Sequence, residues 1–148
     1  MITILDLKAE FEKLTLLRGR TPQMTEVERK GSGAFATLAP FRDGNIFSDK
    51  FAGDGAWERH PSGDELVQIV DGSATLHTMT EGGPKSYAVS AGMIVIVPQG
   101  TWHRFHSPGG VSLMTATPKP TEHLTVDVED PPTLTAAQLS NTIEEKWR

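Results

Sequence analysis

Short, β-prone segments follow one another from residue 34 onward, and they constrain the fold more than any other feature of the sequence. The segments are rich in Val, Ile, Thr and Phe, and they are separated by Gly, Pro, Asp and Ser. Many short strands at close spacing are typical of a β-sandwich or a β-barrel. The strands predicted in this way cover residues 34–38, 46–51, 56–60, 65–70, 73–78, 86–89, 93–97, 101–106, 111–117 and, with a weaker pattern, 124–128.

The segments between the predicted strands contain residues that tolerate tight turns or positive φ angles. Asp71-Gly72 lies directly between two apolar runs, which predicts a two-residue β-hairpin turn. Apolar residues at helical spacing predict one helix over about residues 6–18 and another over about residues 135–147. The sequence therefore predicts a single all-β domain over residues 1–148, with a barrel core at about 34–128 and a short helix at each end.

Composition and charge exclude several classes of function. The chain has 148 residues, the usual size of one domain. Its formal net charge is −5 and its Lys and Arg residues are scattered, so it has no basic stripe for nucleic acid. It contains no cysteine, so any metal site must use nitrogen and oxygen ligands. No apolar run is long enough to cross a membrane and no leader pattern is visible, so we expect a cytoplasmic protein that does not contact membranes.

Ligand-type side chains concentrate between residues 57 and 65. Glu58 and His60 are two residues apart in a predicted strand, so both side chains point to the same face. A Pro-Ser-Gly-Asp turn then reverses the chain, and Glu65 begins the returning strand beside His60. Two or three side chains that could bind a metal ion thus converge within a span of eight residues.

A third candidate ligand, His103, lies far along the chain. The apolar strand at 93–97 runs into a Pro98-x-Gly100 turn, and His103 follows three residues after Gly100. We expect this turn to return His103 to the same interior. One imidazole and one carboxylate are too few to fix a metal ion, whereas His60, Glu65 and His103 together form a plausible ligand set. The alternative is a buried hydrogen-bonded pair and a surface histidine.

The spacing of these residues resembles the two motifs of the cupin superfamily, in particular its small single-domain cupin-2-like members. The first cupin motif is His-x-His, three or four residues, Glu, six residues and Gly. The second is Gly, five residues, Pro-x-Gly, two residues, His, three residues and Asn. The matching residues of this chain are His60, Glu65 and Gly72 in the first motif, and Gly92, Pro98, Gly100 and His103 in the second. The resemblance implies a double-stranded β-helix, or jelly-roll barrel, with a divalent metal ion inside.

The chain departs from the cupin pattern at three positions. Glu58 stands where the first histidine is expected, the leading glycine is one residue closer than usual, and Ser107 replaces the final Asn. The usual set in cupins resembles three His and one Glu. Here the resemblance implies two His and two Glu, or a three-ligand site with Glu58 turned aside. Glu58 is therefore a candidate ligand or general base, or it pairs with a neighbouring Arg. The candidate metals are Fe, Mn, Ni and Zn, and a second carboxylate favours the harder ones.

Aromatic residues near the predicted ligands are candidates for the wall of a substrate pocket, although core packing is the commoner role of such residues. Strand alternation places Phe105 on the face of His103. The pocket candidates are Phe105, Trp57, Phe47 and Trp102. We expect the remaining histidines to face solvent: His77, His106 and His123.

The apolar strand at 94–97 has apolar residues on both faces, so its outer face needs a cover. By resemblance to cupins we expect a homodimer. The implied function is that of a metal-binding protein acting on a small organic molecule, as a dioxygenase-like or other metal-dependent enzyme. The alternatives are a non-catalytic small-ligand-binding module and a metal-independent isomerase or epimerase. The last needs an acid–base pair such as His–Tyr, and Tyr87 is the only tyrosine.

Overall fold

Ten β-strands and two short helices make up the part of the chain that the computed structural model describes, residues 1–124 and the backbone of residues 143–146. This all-β architecture confirms the predicted fold class. The elements in chain order are α1 (Leu7–Glu12), β1 (Leu17–Arg20), α2 (Glu26–Gly31), β2 (Phe35–Phe41), β3 (Gly44–Asp54), β4 (Glu58–Arg59), β5 (Glu65–Thr80), β6 (Gly83–Ser90), β7 (Ile94–Val97), β8 (Trp102–Pro118), β9 (Thr121–Leu124) and β10 (Ile143–Lys146).

The two longest strands, β5 and β8, organise the barrel because they pair with each other along both of their halves. The first half of β5 lies against the second half of β8, and the second half of β5 lies against the first half of β8. Strands β6 and β7 extend the sheet on the β5 side. Strands β3 and β4 pair with β8 on its other side, and β1, β2 and β9 join at the margins. This long antiparallel ladder joins the strands in one sheet, and residues of β3, β4, β5 and β8 line a cavity.

The prediction of a hairpin turn at Asp71-Gly72 is wrong, because β5 continues through these residues. Gly72 has a φ of +77°, and a Cβ atom there would lie 2.2 Å from the carbonyl oxygen of Gly110. The register of β5 against β8 shifts on both sides of this point. Gly72 therefore allows a bulge where two long strands bend around the barrel, which uses the same left-handed conformation as a tight turn.

The ends of the chain differ from the prediction. The N-terminal helix is shorter than 6–18, since α1 ends at Glu12 and β1 begins at Leu17. Strand β1 pairs in parallel with β3. At the other end, residues 143–146 form β10, antiparallel to β9, in place of the last part of the helix predicted over 135–147. The rest of that helix lies outside the described residues.

The apolar core has two parts. The larger cluster includes the nearly fully buried side chains of Phe51, Val67 and Ile69. The smaller one contains Trp57 and Trp102, with Met79 and Leu124. Among the described residues, no helix is long and apolar enough to cross a membrane.

Candidate metal centre

Two turns that are distant in sequence are hydrogen-bonded together and hold the predicted ligands in one place. The amide of Gly100 donates to the carbonyl of His60 at 2.9 Å. Gln99 makes two further hydrogen bonds between the turns. Its backbone N–H donates to the carboxylate of Asp64 at 2.8 Å, and its side-chain amide donates to the carbonyl of Pro61 at 2.6 Å. The turn after His60 and the turn before His103 are therefore one unit, which explains why the histidines meet.

The carboxylate of Glu65 lies between the two imidazoles. Its Oε1 is 3.1 Å from Nε2 of His103, and its Oε2 is 3.2 Å from Nε2 of His60. The two rings are 5.2 Å apart between centroids. All three side chains are buried, with exposed fractions of 2% for His60, 5% for Glu65 and 3% for His103. The structure thus brings the three residues predicted from the motifs into contact.

A second set of hydrogen bonds fixes the orientation of these three groups. The Nδ1 atom of His103 is 2.9 Å from the backbone carbonyl of Thr101, and Nδ1 of His60 is 3.1 Å from the hydroxyl of Thr121. The hydroxyl of Thr117 donates to Oε2 of Glu65 at 2.6 Å. Partners of this kind, on the far nitrogen of a histidine and on the carboxylate, typically orient metal ligands.

The arrangement fits a bound cation. A carbonyl oxygen can only accept, so Nδ1 of His103 carries a proton, and in the neutral ring Nε2 directs a lone pair at the carboxylate of Glu65. Two acceptors 3.1 Å apart repel each other unless a proton or a metal ion lies between them. Ligand atoms of Glu58, His60 and His103 also lie within 4.8 Å of one another, close enough to hold one ion. The donor set of nitrogen and carboxylate oxygen suits Fe, Mn, Ni or Zn.

The same contacts shift the protonation of both partners. Burial raises the pKa of Glu65, but the charge of His60 and the hydrogen bond with His103 outweigh it, so the pKa of this carboxyl lies well below its ordinary value. Burial lowers the pKa of His103, but the hydrogen bond with Glu65 and its charge outweigh that effect and raise the pKa of the imidazole. Without a metal ion, both shifts act in the same direction and favour a carboxylate facing an imidazolium over the two neutral groups.

Glu58 lies in the same cross-strand row as two histidines. In the register of the sheet it is paired with His103 on one side and with His123 on the other. Residues directly opposite each other share a face, so all three project inward. The expectation that His123 faces solvent is wrong, because it is buried in β9. The sequence offered only a weak signal for this strand.

The cavity next to Glu58, Glu65 and His103 is lined partly by aromatic rings. Phe47 and Phe105 are among its lining residues. Trp57 and Trp102 instead pack in the smaller core cluster. Each tryptophan precedes an inward-facing ligand candidate by one residue, so strand alternation turns it to the opposite face.

Two buried arginines, Arg20 and Arg29, also line this cavity and were not identified from the sequence. Neither lies near the cupin motifs. The histidines expected outside the site, His77 and His106, are partly exposed, and each has its own polar partner: Ser86 at 2.8 Å and Asp54 at 2.5 Å respectively.

Comparisons with known proteins agree with this description. Residues 50–116 match the family model of the cupin domain, which covers both motifs. No curated protein matches the sequence significantly. A conserved Streptococcus pyogenes protein of unknown function superposes with a TM-score of 0.52 at 21% identity, over 80% of this chain and 89% of that one.

Two further solved structures are similar at lower scores. A cupin-2 domain protein from Shewanella frigidimarina has a TM-score of 0.48 and 20% identity, over 66% of this chain and 96% of that one. A hydroquinone 1,2-dioxygenase, solved with Cd²⁺ and 4-hydroxybenzonitrile, has a TM-score of 0.49 and 14% identity, over 56% of this chain and 62% of that one. The family match shows a cupin domain over residues 50–116 of this chain.

Proposed function

We propose that this cupin is a metal-dependent enzyme acting on a small organic molecule bound in the barrel cavity. His60, Glu65 and His103 are the proposed metal ligands, and Glu58 is the fourth ligand or the general base. One observation carries the proposal: the Nε2 atoms of both histidines face the same carboxylate at 3.1–3.2 Å, while their Nδ1 atoms are engaged by other groups.

The charges of the ligands favour a divalent ion of the harder kind. Two carboxylates neutralise a divalent cation almost fully, and oxygen ligands favour Fe²⁺ or Mn²⁺ over softer metals. A divalent ion in this position would supply Lewis-acid activation of a substrate oxygen. It would be held by buried groups that are already oriented, so little rearrangement is needed on binding.

The other residues of the cavity have distinct roles in this proposal. The hydroxyl of Thr117 keeps Glu65 in place. The rings of Phe47 and Phe105 exclude water from the substrate and strengthen electrostatic interactions within the cavity. Glu58 lies at the cavity wall beside His103, where its carboxylate is able to accept a proton from a bound substrate when it does not ligate the metal.

Elemental analysis of the protein purified without an affinity tag, after loading with Mn²⁺, tests the metal site. We expect one ion per chain, and loss of that ion in the double variant His60→Ala/His103→Ala. The matched control is His77→Ala/His106→Ala, which removes two partly exposed histidines outside the site and should keep the ion. Circular dichroism checks that both variants fold.

Two results contradict the proposal. The first is equal metal content in the site variant and the control. The second is absence of bound metal in the parent protein together with a thermal midpoint that a chelator does not change. The second result favours the alternative function, a non-catalytic module that binds a small ligand.

We also propose that two copies associate through the outer face of β7. Ile94 and Ile96 are exposed there, next to Tyr87 and Met93, and exposed apolar patches of this kind mark interaction sites. Sedimentation should show a dimer that Ile94→Lys/Ile96→Lys dissociates and that Val27→Lys, at an exposed position on α2, leaves intact. A parent protein that sediments as a monomer contradicts this arrangement.

A further inference from the structure

Two arginines project into the cavity from the N-terminal part of the chain, outside the segment that matches the cupin family model. Arg20 ends β1 and Arg29 lies in α2, whereas the matched segment begins at residue 50. They are 7% and 5% exposed, and both line the same cavity as Glu58, Glu65 and His103. Burying a guanidinium is costly, so two of them in one cavity require an explanation.

Local structure holds each arginine in place. A capping box between Thr25 and Glu28 begins α2, and Arg29 follows in the last turn with its guanidinium 4.8 Å from the centre of the Phe35 ring. Arg20 lies 4.4 Å above the ring of Phe51. Its strand approaches β3 at Gly53, where a Cβ atom would lie 2.4 Å from the carbonyl oxygen of Arg20. Stacked, planar guanidiniums of this kind are pre-organised for planar anions.

Both arginines contact the same carboxylate oxygen. Oδ2 of Asp49 accepts from Arg29 at 2.9 Å and from Arg20 at 3.4 Å. Within the described residues, the buried Nε of Arg29 has no hydrogen-bond partner. One carboxylate shared between two guanidiniums leaves donor capacity on Arg29 that a second anion would use.

The charge of the whole cavity wall changes when a metal ion binds. The described lining residues include three arginines, Arg20, Arg29 and Arg104, and three carboxylates, Asp49, Glu58 and Glu65. With His103 neutral, as a metal ligand must be, these charges balance, so a divalent cation leaves an excess of positive charge in a buried space. A neutral substrate would not compensate this excess, whereas an anion would.

We propose that Arg20 and Arg29 form the binding site for the carboxylate of a small organic acid. A second oxygen-containing group of the same acid, such as a carbonyl or hydroxyl group, would face the metal ion. This inference rests on the proposed metal-dependent function, and it names the substrate class. The cavity encloses about 60 Å³, room for roughly four to six water-sized groups. Three of these groups are the oxygen atoms of the acid, so the acid has about two or three carbon atoms.

Binding of pyruvate, compared with its uncharged isostere pyruvamide, tests the inference. Isothermal titration of the Mn²⁺-loaded protein should detect pyruvate and not pyruvamide. Arg29→Gln should weaken pyruvate binding tenfold or more, the loss expected for one charge-assisted hydrogen bond. Arg18→Gln is the matched control, because Arg18 lies two residues from Arg20 on the same strand but is exposed. It should bind pyruvate as the parent does.

The Mn²⁺ content of each variant shows that its barrel is folded. Arg29→Lys keeps the positive charge but loses the paired N–H donors of the guanidinium, so its affinity for pyruvate should lie between those of the parent and of Arg29→Gln. Equal binding of pyruvate and pyruvamide, unchanged affinity in Arg29→Gln, or stronger binding of inorganic phosphate than of pyruvate overturns the inference and leaves the metal site standing. If the parent binds no Mn²⁺ but pyruvate still raises its thermal midpoint, and Arg29→Gln abolishes that rise, the carboxylate site stands and the metal-dependent function falls. If the parent binds no Mn²⁺ and pyruvate does not raise its thermal midpoint, both the carboxylate site and the metal-dependent function are refuted.

Discussion

Replacing Thr117 by Val should weaken metal binding without changing the shape of the cavity. The hydroxyl of Thr117 donates to Oε2 of Glu65 at 2.6 Å, and both residues are buried, so solvent does not screen this bond. Losing a hydrogen bond to a buried charged group costs about 1.5–3 kcal/mol. Loss of an outer partner of a metal ligand typically costs about 10- to 100-fold in metal affinity. Valine is nearly isosteric with threonine, so packing contributes little to either effect.

Two measurements check this prediction. Urea unfolding of the metal-free Thr117→Val protein should show a loss of stability in the stated range, and titration with Mn²⁺ should show at least tenfold weaker binding. Thr75→Val is the control, because Thr75 is a half-buried threonine of β5 remote in sequence from the ligands. An affinity for Mn²⁺ within twofold of the parent would refute the claim that Thr117 orients a metal ligand.

The pH dependence of stability and the conformation of one glycine give two further predictions. In the metal-free protein, the raised pKa of His103 adds to the free energy of unfolding; this contribution is complete below pH 6.5 and is lost as the pH rises through the pKa of the folded state. The lowered pKa of Glu65 adds a second contribution, which is present above pH 4.5 and is lost as the pH falls through the pKa of the folded state. Urea unfolding should therefore show a maximum between these limits, and His103→Gln should remove the alkaline decline; a parent that becomes steadily more stable up to pH 8 contradicts this. Gly72→Ala should lower the thermal midpoint by several degrees, because the φ angle of Gly72 is positive and the carbonyl oxygen of Gly110 occupies the position of a Cβ atom. The control is Gly109→Ala, which should change the midpoint little because a Cβ atom at Gly109 would meet no other atom. Equal midpoints for the two variants would contradict the bulge assignment.

The convergence of the proposed metal ligands could be predicted from the sequence because short-range geometry determines where these side chains lie. Glu58 and His60 are two residues apart, and Glu65 follows a four-residue turn. His103 follows the Pro98-x-Gly100 turn, and that turn is hydrogen-bonded to His60. In each case a local rule, strand alternation or turn chemistry, determines where the side chain points.

Features that depend on long-range pairing could not be predicted in the same way. A glycine with positive φ serves a hairpin turn or a bulge equally well, so the local pattern at Gly72 does not distinguish the bulge from the turn that it predicts. Arg20 and Arg29 reach the cavity only because β1 pairs in parallel with β3 and α2 precedes β2, and no local pattern in the sequence specifies that packing. The burial of His123 depends on the pairing of β9 with β4, which joins segments more than 60 residues apart in the chain.

A crystal structure of the Mn²⁺-loaded protein, with anomalous diffraction to locate the ion, tests the account most directly. We predict one ion per chain, coordinated by Nε2 of His60, by Nε2 of His103 and by a carboxylate oxygen of Glu65. An ion bound only elsewhere, for example between His77 and His106, or no ion at all, would contradict the proposed metal centre.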